Sequence, residues 1–107
     1  MAGIDDRVIA VDIDGTVATV NADYARCEVM PGARESLLEL RERGFLIYLH
    51  TGRHINNHDV TVKWLADNAI PYDLIVFGKP PARYYIDDRA IAFVDWESAM
   101  SRIEVAP

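Results

Sequence analysis

The chain has 107 residues, half of them hydrophobic and 26% charged, which is the balance of one ordinary folded domain over residues 1–107 and excludes both a disordered chain and a second core. A formal net charge of −6 argues against a nucleic-acid partner, which normally needs a basic surface, and a single cysteine, Cys27, rules out an internal disulfide. No apolar run reaches membrane length, and Met1 to Arg7 is too polar for a signal peptide, so no membrane partner and a cytoplasmic location are expected.

The first element is apolar and β-branched from Val8 to Val11 and ends in Asp12-Ile13-Asp14-Gly15-Thr16. It reads as a buried strand with acid at its carboxyl end, the side on which open parallel sheets bind ligands. Side chains alternate along a strand, so Asp12 and Asp14 share a face only while strand geometry lasts, and Gly15 implies that Asp14 is already turning. Two close carboxylates repel, and a cation is their natural third party. In isolation such a pair is ordinarily a solvated strand end.

Val17 to Met30 has no clear period and reads as a turn and a small flap hairpin over the site; Tyr24 and Arg26 either reach a ligand from it or are plain surface residues. Cys27 reads as a small packing residue. Pro31 fits a first helical position and Gly44 a helix stop, bounding an amphipathic helix over 33–43 with Leu37, Leu38 and Leu40 as its stripe. Phe45 to His50 is the continuous apolar run of an interior parallel strand. The Thr51-Gly52-Arg53 turn after it suits a phosphate oxygen cradled by a hydroxyl and backbone N–H groups.

His54 to His58 reads as a polar loop whose histidines contact substrate or solvent. A histidine metal site is not expected, because His54 and His58 meet only on a helix and Asn56-Asn57 argues against one there. A second helix over 59–68 carries Val60, Trp64 and Leu65 on one face, with Pro71 past its end. Leu74 to Phe77 is a third strand, left by Gly78-Lys79-Pro80-Pro81. Tyr84 to Ile86 is predicted as a short fourth strand ending in Asp87-Asp88, and Ala90 to Val94 as a fifth at the sheet edge. Asp95 caps a last helix over 96–103, where Trp96, Met100 and Ile103 repeat at core spacing, and Val105 to Pro107 is expected to fray.

Four predicted strand ends therefore carry, in order, Asp12 with Asp14, then Thr51, then Lys79, then Asp87 with Asp88. In a doubly wound sheet these ends open on one side and gather in one cleft. This order and chemistry resemble the four motifs of the haloacid dehalogenase superfamily over nearly the whole chain. The resemblance implies an α/β fold with three layers, a Rossmann-like, doubly wound, mostly parallel sheet of about five strands, and a phosphotransferase that forms an aspartyl-phosphate. The gaps Val17 to Met30 and His54 to Phe77 are too short for the inserted cap domain of many members. A capless enzyme is expected, with an open site completed by a neighbouring subunit or by a large substrate. The stretch from Ile70 to Asp88 further resembles small capless phosphatases of bacterial capsule and surface-polysaccharide biosynthesis.

Displacement at a phosphate monoester needs an in-line nucleophile, neutralised phosphoryl oxygens and a proton for the leaving group. Asp12 is expected to be the nucleophile, and Asp14 to protonate the leaving alcohol and then take a proton from the hydrolytic water. Thr51 and nearby N–H groups bind phosphoryl oxygens, and Lys79 neutralises charge on Asp12 and on the phosphate. Gly15, Thr16, Gly52, Arg53 and His54 are the expected substrate-binding positions. Mg2+ is expected on Asp12, the backbone carbonyl of Asp14 and Asp88, with Asp87 ligating directly or supporting its neighbour. The expected partner is a small phosphorylated substrate such as a sugar phosphate, and a dimer or tetramer is expected to cover the site.

Three other readings fit parts of this pattern. A phosphoacceptor signalling module, like a response-regulator receiver, also gathers acids, a hydroxyl and a lysine, but its acceptor aspartate lies on a later strand. A nucleic-acid end phosphatase can also carry Asp-Asp-Arg in its fourth motif, and the acidic charge disfavours it. A non-catalytic binding protein can use the same fold.

Overall fold

A computed structural model describes residues 3–104 and 106. Three parallel strands form one sheet: β1 (Val8–Asp12), β2 (Leu46–Thr51) and β3 (Leu74–Phe77), in the order β1-β2-β3. They are joined through α1 (Ala33–Glu42) and α2 (His58–Asp67), and α3 (Trp96–Ser101) closes the described elements. Two successive strand-helix-strand units of this kind give a Rossmann-like α/β arrangement, and right-handed crossovers added in one direction send both helices to the same side of the sheet.

Register decides which residues meet the helices. Ile9 lies beside Ile47, Val11 beside Leu49, and Leu49 beside Ile75, so these side chains share one face. On that face Val11, Ile47, Leu49 and Thr51 are buried, and Leu37 and Leu40 of α1 join the same core. The opposite face carries Ala10, Asp12, Tyr48, His50, Leu74 and Val76, all half-buried or exposed.

The local chemistry of each helix explains its limits. α1 is rich in Leu, Glu, Arg and Ala, all strong helix formers. Its first residue is Ala33, capped by Gly32 in a left-handed conformation, so Pro31 lies in the preceding turn and not at the first helical position. Gly44 stops the helix at a φ of 102° that only glycine adopts freely. Leu37 and Leu40 are buried while Leu38 is 50% exposed, which narrows the expected stripe. α2 begins at His58, one residue earlier than the polar-loop reading, after a short 3-10 turn over Ile55–Asn57. Thr61, Trp64 and Leu65 form its buried face. The Asp95 carboxylate caps α3 by accepting from the Ser98 N–H at 2.7 Å. Trp96 and Ala99 are buried; Met100 and Ile103 pack on the core from beyond or near the helix end.

The flap takes the expected hairpin form. Its backbone pairs through Thr19 N–H to the Glu28 carbonyl and Met30 N–H to the Val17 carbonyl, both at 2.8 Å. The Trp64 indole N–H donates to the Cys27 carbonyl at 2.8 Å, tying the flap to α2.

Two expected strands do not form. Tyr84 to Ile86 and Ala90 to Val94 lie outside the sheet, so it has three strands and not about five, and it extends from β1 in one direction only. The sheet is therefore not doubly wound among the described residues. An apolar run makes a strand only where a partner edge accepts its backbone bonds, and here residues 83–93 run beside β1 across an open groove of about 1390 Å3. The Tyr85 hydroxyl, with partners at Pro80 and Ala82, holds the start of this segment to its own loop. The expected fraying of Val105 and Pro107 lies outside the described residues. Among those residues, no helix is long and apolar enough to cross a membrane.

Candidate active site

The carboxyl ends of β1, β2 and β3 meet at one rim of the sheet, and each delivers a polar group there. Asp12 is the last residue of β1 and lies in register with His50 of β2. Lys79 follows β3 and brings its Nζ to 3.4 Å from Asp12 Oδ1. The Tyr85 ring lies under the same ammonium, 4.2 Å from its centroid. Backbone bonds set this lysine: the Thr51 carbonyl accepts from both the Gly78 and the Lys79 N–H at 3.1 Å. Gly52 lets the two loops touch, because a Cβ there would stand 3.2 Å from the Lys79 carbonyl oxygen.

Asp14 lies beyond the strand, in the turn built by Gly15 at a φ of 84°. The Val17 and Ala18 N–H groups return to the Ile13 carbonyl at 2.9 Å. This swing separates the partners of the two acids: Asp12 faces Lys79, whereas Asp14 is gripped by Arg53. The Arg53 Nε donates to Asp14 Oδ2 at 2.9 Å and its Nη2 to Oδ1 at 2.6 Å.

Several residues expected to touch substrate are engaged within the protein. The Gly15 N–H donates to the Ala18 carbonyl at 2.7 Å, and the Thr16 carbonyl accepts from the Trp96 indole at 2.8 Å. The Thr51 side chain is buried, and its hydroxyl oxygen accepts from the Arg53 N–H at 3.0 Å, which leaves the hydroxyl proton to be donated elsewhere. The Arg53 side chain is 1% exposed and paired with Asp14. The His54 ring accepts from the Asn56 N–H and caps the short turn before α2.

The expected metal donors do not converge in this conformation. Asp87 and Asp88 lie on an exposed stretch; Asp87 accepts from the Arg89 N–H at 2.9 Å, which with the Arg89 charge holds its carboxyl below the usual range. Asp87 lines the same groove as Asp12. Among the described residues, no three His, Cys, Asp or Glu side chains group closely enough to hold a metal ion. The cations nearest Asp12 and Asp14 are Lys79 and Arg53.

His50 and Thr61 stand at the site without having been singled out in the sequence, and Tyr24, considered there as a ligand contact, stacks on Arg53. Burial and the Lys79 charge lower the His50 pKa from its ordinary 6.5, outweighing the opposite pull of Asp12. Thr61 accepts from Arg53 Nη1 at 3.0 Å, and Tyr24 stacks on the guanidinium with Cζ 3.8 Å from its ring centroid. A threonine inside the apolar face of α2 was the available signal for a buried polar partner.

Neither a protein-family model nor a curated protein matches the chain. Among solved structures it is similar to a structural-genomics target from Vibrio cholerae, with a TM-score of 0.74 and 27% identity over 92% of this chain and 89% of that one. It is also similar to a chain of the Pnkp1/Rnl/Hen1 RNA repair complex, with a TM-score of 0.61 and 22% identity over 78% of this chain and 30% of that one. A second structure of that complex matches at a TM-score of 0.60. These likenesses support a shared α/β fold extending over most of the chain.

Proposed function

We propose that the chain is a phosphohydrolase of the haloacid dehalogenase type, cleaving a phosphate monoester through an aspartyl-phosphate on Asp12. The observation that carries this reading is the meeting of Asp12 and Lys79, 3.4 Å apart, beside Thr51 at the carboxyl ends of three parallel strands. An Asp12 oxygen attacks phosphorus and the bond to the leaving oxygen breaks, with Asp14 supplying that oxygen's proton. Water then attacks the acyl-phosphate, Asp14 takes its proton, and the Asp12 carboxylate is restored. Lys79 neutralises the phosphoryl oxygens throughout, in a site where its charge is half-sheltered from water.

Magnesium belongs to the proposal as an ion that Asp12, the Asp14 carbonyl, Asp88 and Asp87 would share only once residues 87–88 approach β1. A small phosphorylated substrate, such as a sugar phosphate, is preferred over nucleic acid because a net charge of −6 repels a polyanion more strongly than a single ester. A second reading, a nucleic-acid end phosphatase, draws support from the partial likeness to a chain of an RNA repair complex and from Lys79, Arg83 and Arg89 along the groove. The test is a phosphate-release screen with and without Mg2+ across sugar phosphates, nucleotides, pyrophosphate, phosphopeptides and oligonucleotides with a terminal phosphate. Magnesium-dependent turnover of a small ester supports the first reading, exclusive turnover of oligonucleotide ends supports the second, and no release from any compound contradicts both.

A further inference from the structure

Asp14 is the most tightly held acid of the site. Both its oxygens accept from one guanidinium, at 2.9 and 2.6 Å, and that guanidinium is itself fixed on every side. Thr61 takes the Nη1 proton at 3.0 Å, the Cys27 sulfur lies 3.8 Å from Nη2, and the Tyr24 ring covers the guanidinium plane. Burial disfavours the charge on Arg53, but the hydrogen bonds and charge of Asp14 outweigh it and raise the Arg53 pKa. The exposures divide the labour: the Arg53 side chain is 1% exposed and spent on its partners within the protein, whereas the Asp14 side chain is 29% exposed and open to solvent.

Resting on the phosphohydrolase reading, we infer that Arg53 is a positioning residue that aims the Asp14 carboxyl at the leaving-group oxygen and acts on the reaction only through Asp14. A fork that grips both oxygens fixes the rotamer and the plane of the carboxylate together, which a point charge cannot do. When Asp14 carries the proton, one oxygen keeps its bond from the guanidinium and anchors the group, and the other turns its O–H outward. That proton passes to the leaving oxygen as its bond to phosphorus breaks, and the carboxylate regains both bonds. Tyr24 and Thr61 hold the guanidinium still, so that orientation is set by the flap and α2 without a contact to the substrate.

The test compares kcat/KM on two esters that differ in their need for an acid: the best alkyl phosphate of the screen, and p-nitrophenyl phosphate, whose phenolate leaves without a proton. Since a positioned acid contributes about 10²–10⁴-fold, Arg53→Met is expected to lower kcat/KM on the alkyl ester about 100-fold and on the aryl ester less than about threefold. Arg53→Lys keeps the charge but not the fork, and is expected to fall between, at about tenfold on the alkyl ester. In an Asp14→Asn background, Arg53→Met is expected to add no further selective loss on the alkyl ester. Equal losses on both esters overturn the inference, since a merely structural residue would act that way. If Arg53→Met does not fold, the ratio of the two esters in Arg53→Lys decides by the same criterion. A parent that turns over neither ester removes the phosphohydrolase reading and this inference together, an outcome distinct from equal losses in an active parent.

Discussion

Asp12, the last residue of β1, lies in register with His50, the penultimate residue of β2, which sets an acid, an imidazole and the Lys79 ammonium together on the open face of the sheet. The His50 pKa is lowered by its burial and by Lys79, so the ring is neutral in the folded chain at neutral pH. A depressed pKa means that the unfolded chain binds the proton more readily. Stability is therefore fully present above pH 6.5, the ordinary histidine value, and is lost as pH falls through the lower folded value. In chelator, the thermal midpoint is expected to drop on acidification below about pH 6.5, and to drop less in His50→Gln. Identical pH profiles for the parent and His50→Gln contradict this assignment.

At the scale of elements, the loops after β2 and β3 behave as one unit, because the Thr51 carbonyl binds two N–H groups of the second loop and Gly52 allows its close approach. Gly52→Ala requires the Lys79 carbonyl to give way by a few tenths of an ångström, which is expected to disturb the placement of the lysine against Asp12. The expected result is a fall in kcat/KM of about tenfold or more with the fold retained, since small misplacements of a charge are costly at a reacting centre. An unchanged kcat/KM in a folded Gly52→Ala protein excludes the coupling. The three strands and three helices were legible because each is punctuated locally, by Gly44, Pro71 or the Asp95 cap. Tyr84 to Val94 was not, because its apolar pattern says nothing of whether the edge of β1, far back in the chain, accepts a new strand. The pairing of Arg53 with Asp14, 39 residues apart, was equally hidden: a Thr-Gly-Arg turn reads as a phosphate cradle until tertiary packing buries its guanidinium.

At the scale of the molecule, one face of the sheet is buried and the other presents Tyr48, Leu74 and Val76, the last two 46% exposed, beside the site. Phosphoryl transfer gains from excluding water, and the described flap and loops offer little to cover the cleft. A dimer or tetramer is the expected solution state, with a local apolar patch sufficing despite the acidic charge. Light scattering at working concentration checks this: a strict monomer fully active on a small sugar phosphate contradicts it, and a monomer active only on a large partner redirects the site to a macromolecular substrate.

The central claim is that Asp12 takes up the phosphoryl group, and acid-quenched phosphopeptide mapping tests it most directly. The Asp14→Asn protein, mixed with p-nitrophenyl phosphate and quenched, is expected to carry a phosphoryl group on the peptide containing Asp12, and the Asp12→Asn protein to carry none and to retain less than about one-hundredth of parental turnover. In the parent the same adduct is expected to be short-lived while free phosphate accumulates. Phosphate release without any adduct, an adduct on another residue, or a parental adduct that persists for minutes without catalytic release would contradict the account.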